Sequence, residues 1–296
     1  MRKETIAENF KVLQEAICKQ IEEVDGSGVF KSDIWKRNEG GGGDTRVLEN
    51  GTILEKAGVN FSEVFGPVSG KMKNAFGLGS DNFYATGVSI VMHPRNPFVP
   101  IIHMNVRYFE TGDTWWFGGG IDLTPIYVND DDAGFFHQQL KNVCDKSDSS
   151  YYAKFKEWAD EYFYIPHRNE TRGIGGIFFD RLNTESYGKT KEELYEFVLA
   201  VGNTFAPTYS HILKKNQDLP FTESNKKWQG IRRSRYVEFN LVYDKGTKFG
   251  LDTDGRVESI LMSMPPCAEW FYDYRPDDGT AEMHTLRSLI KQKAWV

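Results

Sequence analysis

Between residues 83 and 125 apolar side chains recur at every second position in three successive runs, a period that an extended strand satisfies and a helix does not. The runs are Gly87–Met92, Ile101–Phe109 and Trp115–Leu123, with the turn residues Pro94-Arg95-Asn96-Pro97 between the first two. Connections of hairpin length join antiparallel neighbours, because a parallel crossover needs a dozen residues or more. Helices precede and follow this sheet. Ile6, Phe10, Leu13, Ile17 and Ile21 fall on one face of a helix over 4–23, and Tyr151, Phe155, Trp158 and Tyr162 on one face over 150–163. Thr190-Lys191-Glu192-Glu193 is a capping box that opens a helix through Val201, and a last helix is expected near 281–291. Gly175–Phe179 reads as a short buried strand, and Tyr236–Tyr243, Lys248–Leu251 and Val257–Met262 as a strand meander. With no internal repeat and no long linker, residues 1–296 read as one α+β domain.

Composition narrows the function classes. The net charge of −6 argues against a nucleic-acid partner, whose phosphates need a basic surface. An anionic ligand must therefore be met by a local cluster of cations. No apolar run approaches the roughly 20 residues of a membrane span, and the opening Met1-Arg2-Lys3-Glu4-Thr5 leads into a charged helix with no signal-peptide core. Cys18, Cys144 and Cys267 stand far apart and form neither a disulfide framework nor an iron–sulfur or zinc motif. A reducing cytoplasm is the expected location.

Gly40-Gly41-Gly42-Gly43, flanked by Arg37 and Arg46, reads as a mobile loop near 38–46, either a flexible linker or a substrate lid. No Gly-Lys-Ser/Thr follows it, so it is not a phosphate loop. The chemistry concentrates in the strands. In an extended Ile101–Arg107, the side chains of His103, Asn105 and Arg107 share one face about 7 Å apart, with Met104 and Val106 opposite. Ser89 and His93 share a face of the preceding strand, and Trp116, Gly118, Gly120 and Asp122 a face of the next. Bare glycines inside a strand suit the close approach of a broad, flat ligand, although a glycine bulge beside a surface Asp accounts for the same spacing. Arg232-Arg233-Ser234-Arg235 concentrates guanidinium forks that suit carboxylates, with a solvated basic turn the reading for at least one of them. Arg256, after the turn residues Asp252-Thr253-Asp254-Gly255, is expected at a strand start as an anion seat.

These residues carry a family resemblance. Trp115–Pro125, Gly87–Arg107, Gly173–Asp180 and Tyr236–Pro266 resemble oxygen-dependent coproporphyrinogen III oxidases, from about residue 5 to the C-terminus. The string Trp-Trp-Phe-Gly-Gly-Gly-x-Asp-Leu-Thr-Pro is highly specific to that family. The resemblance implies a homodimer built on a large, flat antiparallel sheet covered by helices on both faces. It also implies conversion of two propionates of coproporphyrinogen III to vinyls, giving protoporphyrinogen IX, carbon dioxide and hydrogen peroxide. On this resemblance His103 is the proton donor, and Ser89, Asn105, Val106 and Arg107 contact substrate. Asp122 faces the pyrrole nitrogens, and Asp254, Gly255 and Arg256 form a substrate loop whose usual first glycine is here Asp254. Some members list histidines matching His93, His103, His137 and His167 as divalent-metal ligands, but none of the four shows local ligand spacing. No cofactor beyond oxygen is therefore expected, since an electron-rich porphyrinogen can itself reduce oxygen. The alternative is a non-catalytic tetrapyrrole carrier with the same pocket. The oxygen-independent radical route needs a CxxxCxxC motif that the chain lacks.

Overall fold

The computed structural model describes residues 1–68, 70, 73, 81–252 and 255–296. Its centre is a seven-stranded sheet in the order β1-β2-β3-β4-β5-β6-β9. Six strands run as a meander: β1 (Lys31–Lys36), β2 (Gly41–Glu49), β3 (Leu54–Pro67), β4 (Asn82–Pro94), β5 (Ile101–Thr111) and β6 (Thr114–Thr124). Strand β9 (Gly176–Leu182) joins beside β6, and every pairing is antiparallel. A separate two-residue ribbon pairs β7 (Tyr164–Ile165) with β8 (Glu170–Thr171).

One face of the sheet is apolar and buried. Val59, Phe61, Val88, Ile90, Ile102, Met104, Val106, Phe117 and Ile121 pack there against four helices. These are α1 (Lys3–Asp25), α2 (Asp130–Ser147), α3 (Tyr151–Tyr162) and α5 (Lys191–Asn216), with the short α4 (Thr184–Tyr187) between the last two. The other face is covered in part by α6 (Glu223–Val242), α7 (Lys245–Asp252) and α8 (Val257–Leu261), and α9 (Ala281–Ser288) ends the helical set among the described residues. This is the α+β architecture expected from the sequence, with helices on both faces.

Two expectations of local structure are corrected. The glycine run is not a loop: Gly42 and Gly43 pair with β1 on one side and β3 on the other, and Gly41 pairs with β3. Gly40 and Gly41 make the hairpin turn with φ of +131° and +83°. Beyond the turn the glycines are needed for space, because a Cβ on Gly42 would lie 2.2 Å from the Trp35 carbonyl oxygen. Ladder hydrogen bonds offset the entropy that freezing glycine costs.

The strands expected at 236–243, 248–251 and 257–262 are replaced by helices, α6, α7 and α8. Thr222 caps α6 with Asn225 as its reciprocal partner, and Trp228, Ile231, Tyr236 and Phe239 are buried along it. Their spacing is helical, and alternation over so few residues does not separate a helix from a strand. Helix α5 likewise runs beyond Val201 to Asn216, with Pro207 inside it. The expected helices at the N-terminus, at 150–163 and near 281–291 are present.

One buried carboxylate organises the start of the sheet. Asp25 accepts the backbone N–H groups of Gly28, Thr52, Ile53 and Leu54 at 2.7–2.9 Å. Burial alone would raise its pKa, but the four N–H groups outweigh that and hold it below the ordinary value. Its stabilising effect is therefore full above the unfolded carboxyl pKa of about 3.9 and lost as pH falls through the lower folded value. Asp25→Ala, which orphans these donors, should cost about 3 kcal/mol or more in denaturant titrations at pH 7. A loss below about 1 kcal/mol would mean that water replaces the carboxylate.

Candidate active site

The face of the sheet opposite the main core is polar and rich in glycine. Sheet register places Ser89, Asn105 and Gly120 in one row across β4, β5 and β6. The next row holds Val91, His103 and Asp122, and the row on the other side Gly87, Arg107 and Gly118. Period-two alternation thus turns His103, Asn105 and Arg107 to one side, as the sequence predicts, and sends Met104 and Val106 into the core. The Val106 side chain is wholly buried in that core, so Asn105 and Arg107 are the members of the triplet whose side chains face the open side.

The open face has aromatic and helical borders. Phe83, Phe109 and Trp116 close one end, with Phe249 of α7 against them. Over β1–β3 stands α8, held by a 2.7 Å hydrogen bond between Ser259 and Thr45 hydroxyls and by Arg256 donating to Asp33 at 2.5 Å. Helix α6 covers the end where His93 lies.

His103 is the best-placed group for proton chemistry. Its Nδ1 lies 2.8 Å from Asp122 Oδ1. Asp122 is 1 % exposed, and Arg172 grips both of its oxygens, Nη2 at 2.6 and 2.7 Å and Nε at 3.2 Å. Arg172 also donates to Asn240 of α6 at 2.8 Å, and its guanidinium is enclosed by the rings of Phe163, Tyr236 and Phe239. Burial would raise the Asp122 carboxyl, yet the Arg172 charge and the His103 hydrogen bond together hold it below its ordinary value. An ionised carboxylate only accepts, so the proton of neutral His103 sits on Nδ1. Nε2, which has no partner among the described residues, is then free to take or give a proton. Asp122, expected to face the pyrrole nitrogens, is buried here with both oxygens bonded, to Arg172 and His103.

The cationic residues divide into two kinds. Arg107 is partly exposed and donates to Asn105 Oδ1 at 2.6 Å and Asp180 Oδ1 at 3.0 Å. Arg256 is the N-cap of α8 rather than the start of a strand, and Gly255 ahead of it packs against the Gly250 carbonyl. Asp254 lies outside the described residues. Arg232 and Arg233 do not form a solvated turn: they are 2 % and 1 % exposed within α6 and pair with Glu170 and Glu55. Long-range ion pairs of this kind leave no trace in local sequence.

The family model for coproporphyrinogen III oxidase matches residues 5–295. The chain belongs to the coproporphyrinogen III oxidase family. It is 48 % identical to coproporphyrinogen-III oxidase 1, chloroplastic, of Arabidopsis thaliana, over 97 % of this chain and 77 % of that protein. The oxygen-dependent coproporphyrinogen-III oxidase, chloroplastic, of Glycine max is 47 % identical over 96 % of this chain and 77 % of that one. The corresponding Nicotiana tabacum protein is also 47 % identical, over 96 % of this chain and 75 % of its own length.

The four histidines that some members of the coproporphyrinogen III oxidase family list as metal ligands do not converge here. His93 is wholly buried and bonds the Ser263 carbonyl at 2.8 Å; burial and the nearby Arg233 charge push its pKa down to about 3. His137 lies on the core side between the Tyr152 hydroxyl and the Ile174 carbonyl, and His167 between Tyr243 and Glu238. No group of three or more His, Cys, Asp or Glu among the described residues could hold a metal. The donor set does not fit a metal centre, and the four-histidine site is corrected on that ground. Sequence reasoning also missed Arg172, Asn240 and the pairing role of Asp180. Arg172 directly precedes the Gly173–Asp180 string, and a lone arginine there gives no signal until the fold brings it to Asp122.

Proposed function

We propose that this chain is an oxygen-dependent coproporphyrinogen III oxidase, an oxidoreductase of haem biosynthesis that makes protoporphyrinogen IX. The observation that carries the reading is the pairing of a buried Asp122–His103 dyad with an open, glycine-floored face that carries Arg107, in a chain that the family model matches almost end to end. A carrier that only binds tetrapyrroles has no need of such a dyad.

Each turnover converts one propionate. The ring-attached carbon loses the equivalent of a hydride, the carboxylate leaves as carbon dioxide, and the new double bond is the vinyl. Oxygen accepts the two electrons and, with one further proton, becomes hydrogen peroxide. His103 Nε2 supplies or removes the proton, and Asp122 keeps that nitrogen in the right tautomer. Arg107 and Arg256 hold propionates that are not reacting. A guanidinium clamped on the reacting carboxylate would stabilise the ground state that decarboxylation must destroy.

The reaction as proposed uses oxygen and no metal. Activity after exhaustive chelation should equal that of untreated protein, and loss restored by one divalent ion would refute this. The function itself is tested by incubating chelator-treated protein with coproporphyrinogen III in air and reading porphyrin fluorescence after oxidation. Absence of product with oxygen present would overturn the assignment.

A homodimer is proposed from the family resemblance, and exposed Leu241, Val242, Leu251 and Val257 offer apolar surface for a second copy. Sedimentation at micromolar concentration tests it: a monomer there overturns it. No helix among the described residues is long and apolar enough to cross a membrane. The three cysteines are free, which suits the proposed cytoplasmic location, while the curated relatives named above are chloroplastic.

A further inference from the structure

Strand β9 breaks step where it passes Arg107. Against β6 its register runs Asp122 with Gly176, Ile121 with Ile177, Gly120 with Phe178 and Gly119 with Phe179, then jumps to Phe117 with Leu182. Asp180 and Arg181 therefore stand together opposite Gly118, which is a β-bulge. Arg181 takes a φ of +51°, the left-handed region that a non-glycine residue enters only under constraint. Its guanidinium lies 4.9 Å from the ring of Trp116, which in turn stacks on Phe109.

The bulge has a consequence for side-chain direction. Phe179 points into the core and Asp180 to the open face, and the extra residue returns Leu182 to the core, where it is fully buried. A regular strand would have turned Arg181 into that core and Leu182 onto the open face. Asp180 Oδ1 then meets Arg107 Nη2 at 3.0 Å, while Asn105 Oδ1 takes Nη1 at 2.6 Å. Gly118 completes the seat, because a Cβ there would lie 2.5 Å from Asp180 Oδ1 and 2.7 Å from Arg107 Nε. The guanidinium lies across bare backbone, held at two corners, and both charged side chains stay about one-third exposed.

We propose that Asp180 is a positioning residue for substrate binding, which orients Arg107 so that its remaining N–H groups grip a propionate carboxylate. Two of the five guanidinium N–H groups are held by Asn105 and Asp180, and the others have no protein partner among the described residues. The strained bulge, the missing Cβ and the ion pair all serve this one orientation. The negative charge of Asp180 also moderates the pull of Arg107 on an anion, so orientation and charge act in opposite directions. This inference rests on the coproporphyrinogen reading of the site.

The test uses coproporphyrin III, the stable oxidised macrocycle with the same four propionates, titrated against full-length protein by fluorescence. Asp180→Ala, which removes both the acceptor and the charge, should weaken the dissociation constant about tenfold, the scale of one charge-assisted contact. Asp180→Asn keeps the acceptor and should recover most of that loss. Gly118→Ala displaces the guanidinium without altering either charge and should weaken binding to a similar degree. In an Arg107→Ala background, Asp180→Ala should add nothing, since there is no guanidinium left to orient. Undiminished binding by Asp180→Ala, or losses that simply add in the double variant, would overturn the proposal, as would wild-type protein that does not bind the probe. Turnover is read in parallel. Wild-type protein that binds coproporphyrin III with this variant pattern but makes no protoporphyrinogen would overturn the enzymatic reading while leaving the positioning role standing.

Discussion

Asp122→Asn should lose turnover and stability together. The carboxylate is 1 % exposed and is the counter-ion of Arg172, itself 2 % exposed. Breaking a buried pair by neutralising one partner leaves an uncompensated charge, at a cost of about 3–5 kcal/mol. An amide also offers His103 a donor where the carboxylate only accepted. If that N–H₂ turns to Nδ1, the imidazole proton moves to Nε2 and the base is lost, a change worth about 10²–10⁴ in kcat. Denaturant titration and single-turnover assays read the two effects separately. Adding Arg172→Met should restore much of the stability, because a well-packed apolar side chain replaces the orphaned charge. It should not restore turnover. Activity of Asp122→Asn within a few-fold of wild type would remove the dyad from the mechanism.

The same ion pair makes stability depend on pH. Because the folded Asp122 carboxyl lies below its unfolded value, its contribution is complete above the unfolded pKa and disappears as pH falls through the folded one. Wild-type stability should accordingly fall more steeply on acidification than that of the doubly substituted variant, where this carboxylate and its guanidinium are both gone.

His103→Ala should lower kcat by about 10²–10⁴ and leave KM nearly unchanged, since the ring is asked to move a proton rather than to hold a propionate. Its folding should survive: the side chain is partly exposed, and Asp122 keeps its pair with Arg172. His167→Ala provides the contrast. That ring lies in the β7–β8 turn between Tyr243 and Glu238, away from the Asp122 dyad, and its loss should change kcat by less than about threefold. Glu238 would retain Arg168 and Trp270 as partners. Equal losses in the two variants, together with inhibition by chelators, would point to a metal shared by the histidines and would refute the assignment of His103 as a proton carrier.

The sequence by itself determined the central strands and the face they present. Alternation at 87–123 is a local property of extended backbone, so His103, Asn105, Arg107, Gly118, Gly120 and Asp122 could be placed on one side from spacing alone. The helix that opens the chain and the Thr190 capping box were legible for the same reason, because each is encoded within a few neighbouring residues. Family resemblance added the reaction, which no periodicity contains. Only the tertiary structure decided what each side chain does. Arg172 reaches Asp122 across 50 residues and Asn240 across 68, and Asp180 reaches Arg107 across 73. An ion pair between distant segments has no local signature, so the bonds that Asp122 makes to Arg172 and His103 were not legible in the sequence. Helix α6 was misread for a related reason: its buried arginines look solvent-facing until their partners on β3 and β8 are in place. The glycine run beside Arg37 shows the converse. Local chemistry favours a free loop there, and the two flanking strands hold it in the sheet through hydrogen bonds that exist only after the chain has folded.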